Sequence, residues 1–490
     1  MTSLSSTTLH EAAIPVPQYD RSALTAGIAH FGIGGFHRAH QALVVDELLC
    51  QGLATDWAII GLGVRAQDSA MRAALAAQNG LYTLVEKHAD GTRGARVIGS
   101  ILGMLTVPED GADAVLEVLT APSTRIVSLT VTEGGYNINQ TTGEFLLDTP
   151  DIAADLLADA VPATVFGLIV EALRVRRAAG TAAFTVMSCD NLQDNGRIAR
   201  RALVSFARAK DTELAQWIEA HVHFPNSMVD RITPATTDED RAETAALTGL
   251  DDAWPVVCEP FFQWVLEDSF SDGRPPYEKT RVQVVDDVEP YELMKLRLLN
   301  ASHQAIAHLG CLRGYELVDD AMRDPHIEDL LRRYMLDEGT PTLQPVPGID
   351  LAEYRDELIG RFSNPEIRDT IARLCAEASE RIPKWLVPVI SERLDAGGEV
   401  TRSAAVIAGW ARCATGIDER GDPIEIVDDR RDEIMAAAAP NDDPLAFVRD
   451  PALFGDLAER EGFTKPYLHA LQVLNTAGSK ALLAELTDVE

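Results

Sequence analysis

At 490 residues, with 46% hydrophobic and 24% charged side chains, the chain can enclose two or more hydrophobic cores. Acidic residues outnumber basic ones 76 to 43, and the net charge of -33 excludes the basic surface that a nucleic-acid partner requires. The opening MTSLSSTTLHEAAIPVPQYDR has no positive run ahead of an apolar core, nothing later reaches about 18 uninterrupted apolar residues, and the six cysteines form no C-x-x-C pair; the composition predicts a cytoplasmic protein with no membrane partner, no disulfide framework and no structural zinc.

Over about the first 285 residues, short β-rich runs alternate with helical patterns, the arrangement of a parallel sheet covered by helices. The strand candidates, in order, are TAGIAHFGIGG, DWAIIGLGV, ARVIGSI, RIVSLTVTEGG, TAAFTVMSCDN and TRVQVVDD. After Asp287 the texture changes: Glu289-Pro290 marks a helix entry, and helical segments separated by Pro, Gly and Asn run nearly to the end. YELMKLRLLNASHQAIAHLG, EDLLRRYML, EIRDTIARLCAEASERI and RSAAVIAGWARCA are the clearest of them. The boundary predicted from this change divides the chain into an α/β domain, 1–285, and a mostly α-helical domain, 286–490.

The first strand runs into FGIGGFHRAHQA. Gly32-x-Gly34 lets the backbone turn tightly and bring N–H groups and a helix N-terminus against a pyrophosphate, although His37 stands where the third glycine of G-x-G-x-x-G would be. The same glycines also suit an ordinary tight corner. Arg38 and the helix start favour an anion over a metal at His37 and His40, because no thiolate or carboxylate nearby completes a ligand set. The second strand leads to Asp68, which is either a ribose-binding carboxylate that favours NAD over NADP or a solvated loop acid. RIVSLTVTEGGYN and FTVMSCDNLQDNG deliver Thr132, Glu133, Asp190 and Asn191 at the carboxyl ends of strands, where open α/β sheets bind ligands. Helix capping is the better reading of Asp190, while for Asn191 a cap and a site residue stay equally open.

In PYELMKLRLLNASHQAIAHLG, a 3.6-residue helix with Lys295 at 0° puts Glu292 near about 60°, His303 near about 80° and Asn300 near about 140°. Met294, Leu298, Leu299, Ala305 and Ile306 add apolar surface beside these groups. A partly buried sector of this kind must satisfy its polar members with each other or with a ligand, since each unpaired group costs about 1 to 3 kcal/mol. The alternative is a solvated face with Glu292 and Lys295 paired at i, i+3.

GIGGFHRAHQA, TEGGY, SCDN, HFPNSMVDRITP and KLRLLNASHQAIAHLG occur in the order in which they occur in the polyol-specific long-chain dehydrogenase (mannitol dehydrogenase) family, which the chain resembles over about residues 28–400. The resemblance implies an N-terminal Rossmann-type NAD-binding domain with extra strands, a helical substrate-binding domain, and zinc-independent hydride transfer in a cleft. It implies oxidation of a polyol such as D-mannitol to its ketose, D-fructose, and the reverse. D-arabinitol or a hexuronate such as fructuronate is an alternative substrate, and a non-catalytic nucleotide-binding regulator is the alternative from another class. By the same resemblance, Lys295 corresponds to the general base, Asn191 and Asn300 to the pair that holds the reacting oxygen, and His303 to a substrate-binding residue. Val229, Asp230, Arg373 and Arg381 fall at substrate-pocket positions, and Arg381 stands where the family pattern has a lysine. Glu292 matches a carboxylate that relays protons. Gly32, Ile33, Gly34, Gly35, Phe36, His37, Arg38, Asp68, Thr132 and Glu133 fall on the NAD side. No metal is expected, and the family's habit implies a monomer whose partner is a small polyol or ketose.

Overall fold

Five short, almost wholly buried strands pair in parallel in the order Ile101–Thr106, Ala58–Gly63, Ala26–Phe31, Ile126–Leu129, Thr185–Ser188. Strands of this kind need both faces covered, and their alternation supplies two cores. Ile28, Ile59, Ile101, Ile126 and Met187 face one core, with the helix Gln41–Cys50, whereas Ala29, Phe31, Leu62, Val127, Leu129 and Val186 face the other, with Val165–Ala179 and Asn195–Lys210. The chain runs from Ala26–Phe31 outward to one edge and then resumes on the other side at Ile126–Leu129, so the order reverses beside the carboxyl end of the first central strand. That reversal is where doubly wound sheets bind ligands.

The computed structural model describes residues 2–139, 143–440, 442–487 and 489. The chain forms two units, Met1–Val288 and Glu289–Glu490. No helix among the described residues is long and apolar enough to cross a membrane.

The first unit carries additional short sheets. Tyr82–Lys87 pairs in parallel with Val256–Cys258 and antiparallel with Arg93–Ile98, while Gln263–Glu267 pairs in parallel with Gln283–Val285 and antiparallel with Ser227–Asp230. TRVQVVDD and all of ARVIGSI except Ile101, which opens a central strand, therefore lie outside the central sheet. Tyr82–Lys87, Ile101–Thr106, Ser227–Asp230, Val256–Cys258 and Gln263–Glu267 are strands that the apolar pattern did not mark. In Tyr82–Lys87 the reason is a charge that is not a surface charge: Lys87 is buried and bonds Asp240 at 2.5 Å.

The second unit is helical around Ala301–Leu312, which is buried along nearly its whole length and packs on Ile371–Cys375 and Thr401–Cys413. EIRDTIARLCAEASERI is not one helix. Glu377 takes a left-handed φ of 52° and separates Ile371–Cys375 from Ala378–Trp385. A distant segment supplies the bonds that hold the break: Glu377 N–H donates to Val427 O at 2.8 Å, and Asp428 accepts from Ser379 N at 2.9 Å and Ser379 Oγ at 2.6 Å.

Val400 precedes the helix Thr401–Cys413 without a capping side chain. The buried Glu338 carboxylate does that work from another segment, accepting from Arg402 N at 2.8 Å and Ser403 N at 2.9 Å. Its charge also complements the helix N-terminus. Glu338→Ala is expected to lower the unfolding free energy by about 3 kcal/mol, because two buried N–H groups lose their acceptor. Urea denaturation of the parent and variant checks this.

Candidate functional site

In the first unit the chain leaves Ala26–Phe31 through Gly32, whose φ is 95° and where a Cβ would lie 2.1 Å from Thr130 O. Only glycine fits. Gly34 N–H closes back on Gly32 O at 2.6 Å, so this amide is engaged within the turn and does not point outward. The turn borders a cavity of about 660 Å³ at the carboxyl ends of the central strands, walled by Gly32, Ile33 and Gly34, by Gly63, Arg65 and Asp68, and by Thr130 and Thr132. Asp68 opens the helix Asp68–Ala77 and accepts from Arg65 N at 2.9 Å. Its side chain sits so close to Gly63 that a Cβ there would meet it at 2.7 Å.

The residues after the glycine turn are arranged differently from the reading in which they meet an anion. Arg38 is 1% exposed, and its guanidinium donates to Trp254 O at 2.5 Å and Gly34 O at 3.2 Å. His37 is buried and stacks on His30 with ring centroids 3.5 Å apart. Burial holds its pKa well below the usual histidine value. Phe36 stacks on His40 at 4.7 Å, and a Cβ at Gly35 would meet the Thr233 methyl at 3.4 Å. These four residues brace the turn from within the unit. Glu133 opens the short turn Glu133–Tyr136, and its side chain lies outside the described residues.

Thr132 holds a φ of 67°, a strained conformation for a β-branched residue. Asp190 keeps it there: its carboxylate accepts from Thr132 N at 2.8 Å, Val131 N at 3.1 Å and Tyr136 Oη at 2.7 Å. The capping reading of Asp190 is thereby corrected, since Asp194 occupies the N-cap position of Asn195–Lys210 and Asp190 fixes the neighbouring loop. Asn191 follows it and is exposed. Val229 and Asp230 are buried at the end of Ser227–Asp230. That strand is tied to the central sheet by Ser227 Oγ, which donates to Ser188 O at 2.6 Å, and by Asn195 Nδ2, which donates to Ser227 O at 2.7 Å. Asn195 and Ser227 were not legible beforehand, because each acts through backbone groups far away in the chain, and Arg65 was not, because its own backbone N–H does the bonding.

In the second unit Glu292, Lys295, Asn300 and His303 are all buried. The solvated-face reading is therefore excluded. The helix that bears them is not uniformly α: Lys295–Asn300 is a π turn between Glu289–Met294 and Ala301–Leu312. Its i→i+5 bonding brings residues five apart onto one face, so Lys295 and Asn300 are closer in direction than the α-helical wheel predicts. Neighbouring segments support the widened turn. Tyr334 Oη donates to Arg297 O at 2.8 Å, and Arg297 itself forms a two-pronged pair with Glu392 at 2.7 Å and donates to Thr342 O at 2.6 Å. Asn300 Nδ2 is buried with no hydrogen-bond partner among the described residues, a donor poised for a ligand. The His303 ring packs 4.8 Å from that of Phe362.

Arg373 is exposed and paired with Asp369, with Nε at 2.6 Å from the carboxylate. Arg381 donates to Arg373 O at 3.1 Å on the helix Ala378–Trp385, which packs against both the π turn and Ala301–Leu312.

A family model described as the mannitol dehydrogenase Rossmann domain matches residues 26–279, and one described as the mannitol dehydrogenase C-terminal domain matches residues 287–475. A mannitol 2-dehydrogenase of Phaeosphaeria nodorum is 45% identical over 476 residues, 96% of this chain and 83% of that protein. A solved ternary complex of Pseudomonas fluorescens mannitol 2-dehydrogenase with NAD and D-mannitol is 44% identical with a TM-score of 0.90, covering 99% of each chain. A D-sorbitol dehydrogenase in substrate-free form is 40% identical with a TM-score of 0.91, covering 99% of this chain and 100% of that one.

The position of Arg38 separates two roles by experiment. Arg38→Met is expected to lower the unfolding free energy by about 2 to 4 kcal/mol, because the Trp254 carbonyl loses its donor and the Gly34 carbonyl keeps only the backbone N–H of residue 38, while changing the Kd for a dinucleotide by less than about threefold. A phosphate-binding arginine would show the opposite: weakened dinucleotide binding with little change in the denaturation midpoint.

Proposed function

The chain belongs to the mannitol dehydrogenase family, and on that footing we propose that it interconverts D-mannitol and D-fructose with NAD, using Lys295 as general base. What supports the reading is a buried Lys295 on the same π turn as the unpartnered Asn300 amide, in a chain 44% identical over 99% of its length to an enzyme solved with both ligands.

The first unit fits a dinucleotide, because the Gly32 corner admits no side chain and leaves backbone open to the cavity, and a carboxylate stands at the end of the next strand. Gly32, Ile33, Gly34, Asp68, Thr132 and Glu133 would hold it, with Gly35, Phe36, His37 and Arg38 bracing the turn from behind. A carboxylate at Asp68 suits a free ribose hydroxyl and repels a phosphate there, which favours NAD over NADP. NAD, when bound, supplies the hydride acceptor.

The remaining chemistry is the protein's. Lys295 takes the proton of the reacting secondary hydroxyl, and Glu292, three residues earlier, passes it onward. The Asn300 amide donates to the substrate oxygen as it changes from alkoxide to carbonyl, the electrostatic part that a metal ion plays in other alcohol dehydrogenases. His303 bonds a neighbouring hydroxyl, while Arg373 and Arg381 shape the polyol pocket on the side of the second unit. Arg373 already has its charge met by Asp369, which favours a neutral polyol over a hexuronate.

Initial rates on mannitol, sorbitol, arabinitol and fructuronate, with NAD and NADP in parallel, test the substrate and cofactor. Mannitol with NAD is expected to give the highest kcat/KM, and a preference for NADP would remove the role given to Asp68. Lys295→Ala is expected to lower kcat/KM about a thousandfold and to abolish the rise of the oxidation rate with pH. Activity within tenfold of the parent at every pH would take Lys295 out of the base role.

A further inference from the structure

Behind the Gly32 turn, a row of buried polar side chains leads through the sheet to one carbonyl. His30 and Ser128 are register neighbours on adjacent parallel strands, and both are fully buried. His30 Nδ1 lies 2.8 Å from Ser128 Oγ, and Nε2 lies 2.9 Å from Thr130 Oγ1 and 3.3 Å from Gly32 O. The Thr130 hydroxyl donates to Gly32 O at 2.7 Å. At the far end, Ser128 Oγ lies 2.9 Å from Gln41 Oε1. Burial pushes the His30 pKa down to about 3, so the ring is neutral near neutrality and carries one proton.

Counting protons gives the row a direction. With the Thr130 proton on Gly32 O, Thr130 Oγ1 can only accept from His30, which places the imidazole proton on Nε2. Nδ1 is then an acceptor and takes the Ser128 proton. Ser128 Oγ in turn needs a donor, and the Gln41 NH2 supplies it once a half-turn of the amide faces nitrogen towards Ser128. In the opposite orientation, Gln41 Nε2 is buried without a hydrogen-bond partner among the described residues. The reverse direction leaves that amide nitrogen unsatisfied and draws the Thr130 proton away from Gly32 O. Unsatisfied buried groups are costly, so the forward direction prevails.

We infer that His30 is a positioning residue for the cofactor turn: as the neutral Nε2–H tautomer, it locks the Thr130 hydroxyl onto the Gly32 carbonyl through a one-way chain that starts at Gln41. The inference rests on the reading of this turn as the NAD cradle. With its carbonyl held by Thr130 and by Gly34 N–H, the turn is set before a dinucleotide arrives, and binding does not have to order it.

Two measurements decide the matter. Ring-15N NMR of the protein without NADH is expected to show Nε2–H for the histidine whose resonance is lost in His30→Gln, and an Nδ1–H tautomer would overturn the inference. Fluorescence titration with NADH is expected to give a Kd about tenfold higher for Thr130→Val and within about twofold of the parent for Thr130→Ser. Ser128→Ala, which lies away from the cavity wall, is expected to mix the two His30 tautomers and raise the Kd severalfold with kcat retained. Parent-like NADH binding in both Thr130→Val and Ser128→Ala would also overturn it. Failure of the parent itself to bind NADH would count against the functional reading instead, and the ring-nitrogen spectrum would still decide the direction of the chain.

Discussion

No side chain can stand at Gly32, because the Thr130 carbonyl occupies the place where its first carbon would go. That close approach joins the ends of two central strands, and it makes a tight, pinned corner at the point where the order of the sheet reverses. The cavity follows from it. Strands that stop together at one edge leave a hollow above their carboxyl ends, and a backbone without side chains forms its floor. Around this corner the protein sets its less comfortable features. Thr132 is held at positive φ by Asp190, and Gly63 yields space to the Asp68 side chain.

A comparable constraint governs the helical unit. Widening one turn between Glu289–Met294 and Ala301–Leu312 disturbs the regular ladder of backbone bonds, and such turns persist where the surroundings support them. Here Tyr334 reaches the Arg297 carbonyl, and Gly339 has no side chain to collide with Leu298, where a Cβ would lie 2.9 Å from Cδ2. The turn so supported carries Lys295 and Asn300. A buried amine and an amide on one widened turn form a more concentrated polar group than the same two residues on an α-helix.

The histidines and arginine of FGIGGFHRAHQA show how a motif can be legible while its chemistry is not. The glycines declare a turn after a strand, and that much is local. Arg38 looks like an anion binder until Trp254 is seen to take its guanidinium, and Trp254 is more than two hundred residues away. His37 is similarly turned onto His30. The acids divide in the same manner. Asp68 lines the cavity, whereas Asp190 braces a neighbouring loop, although both follow apolar strands.

Alternation of apolar runs with helical patterns, the change of texture after Asp287, and the spacing of Lys295, Asn300 and His303 were available from the chain alone, because periodicity and turn chemistry depend on residues close together. The short strands with internal charge, the break at Glu377 and the widened turn at Lys295 were not. Each is held by a partner remote in the chain: Asp240 for Lys87, Val427 for Glu377, Tyr334 for Arg297. A local pattern carries no information about which distant group will satisfy a buried charge or carbonyl, and only the folded chain decides it.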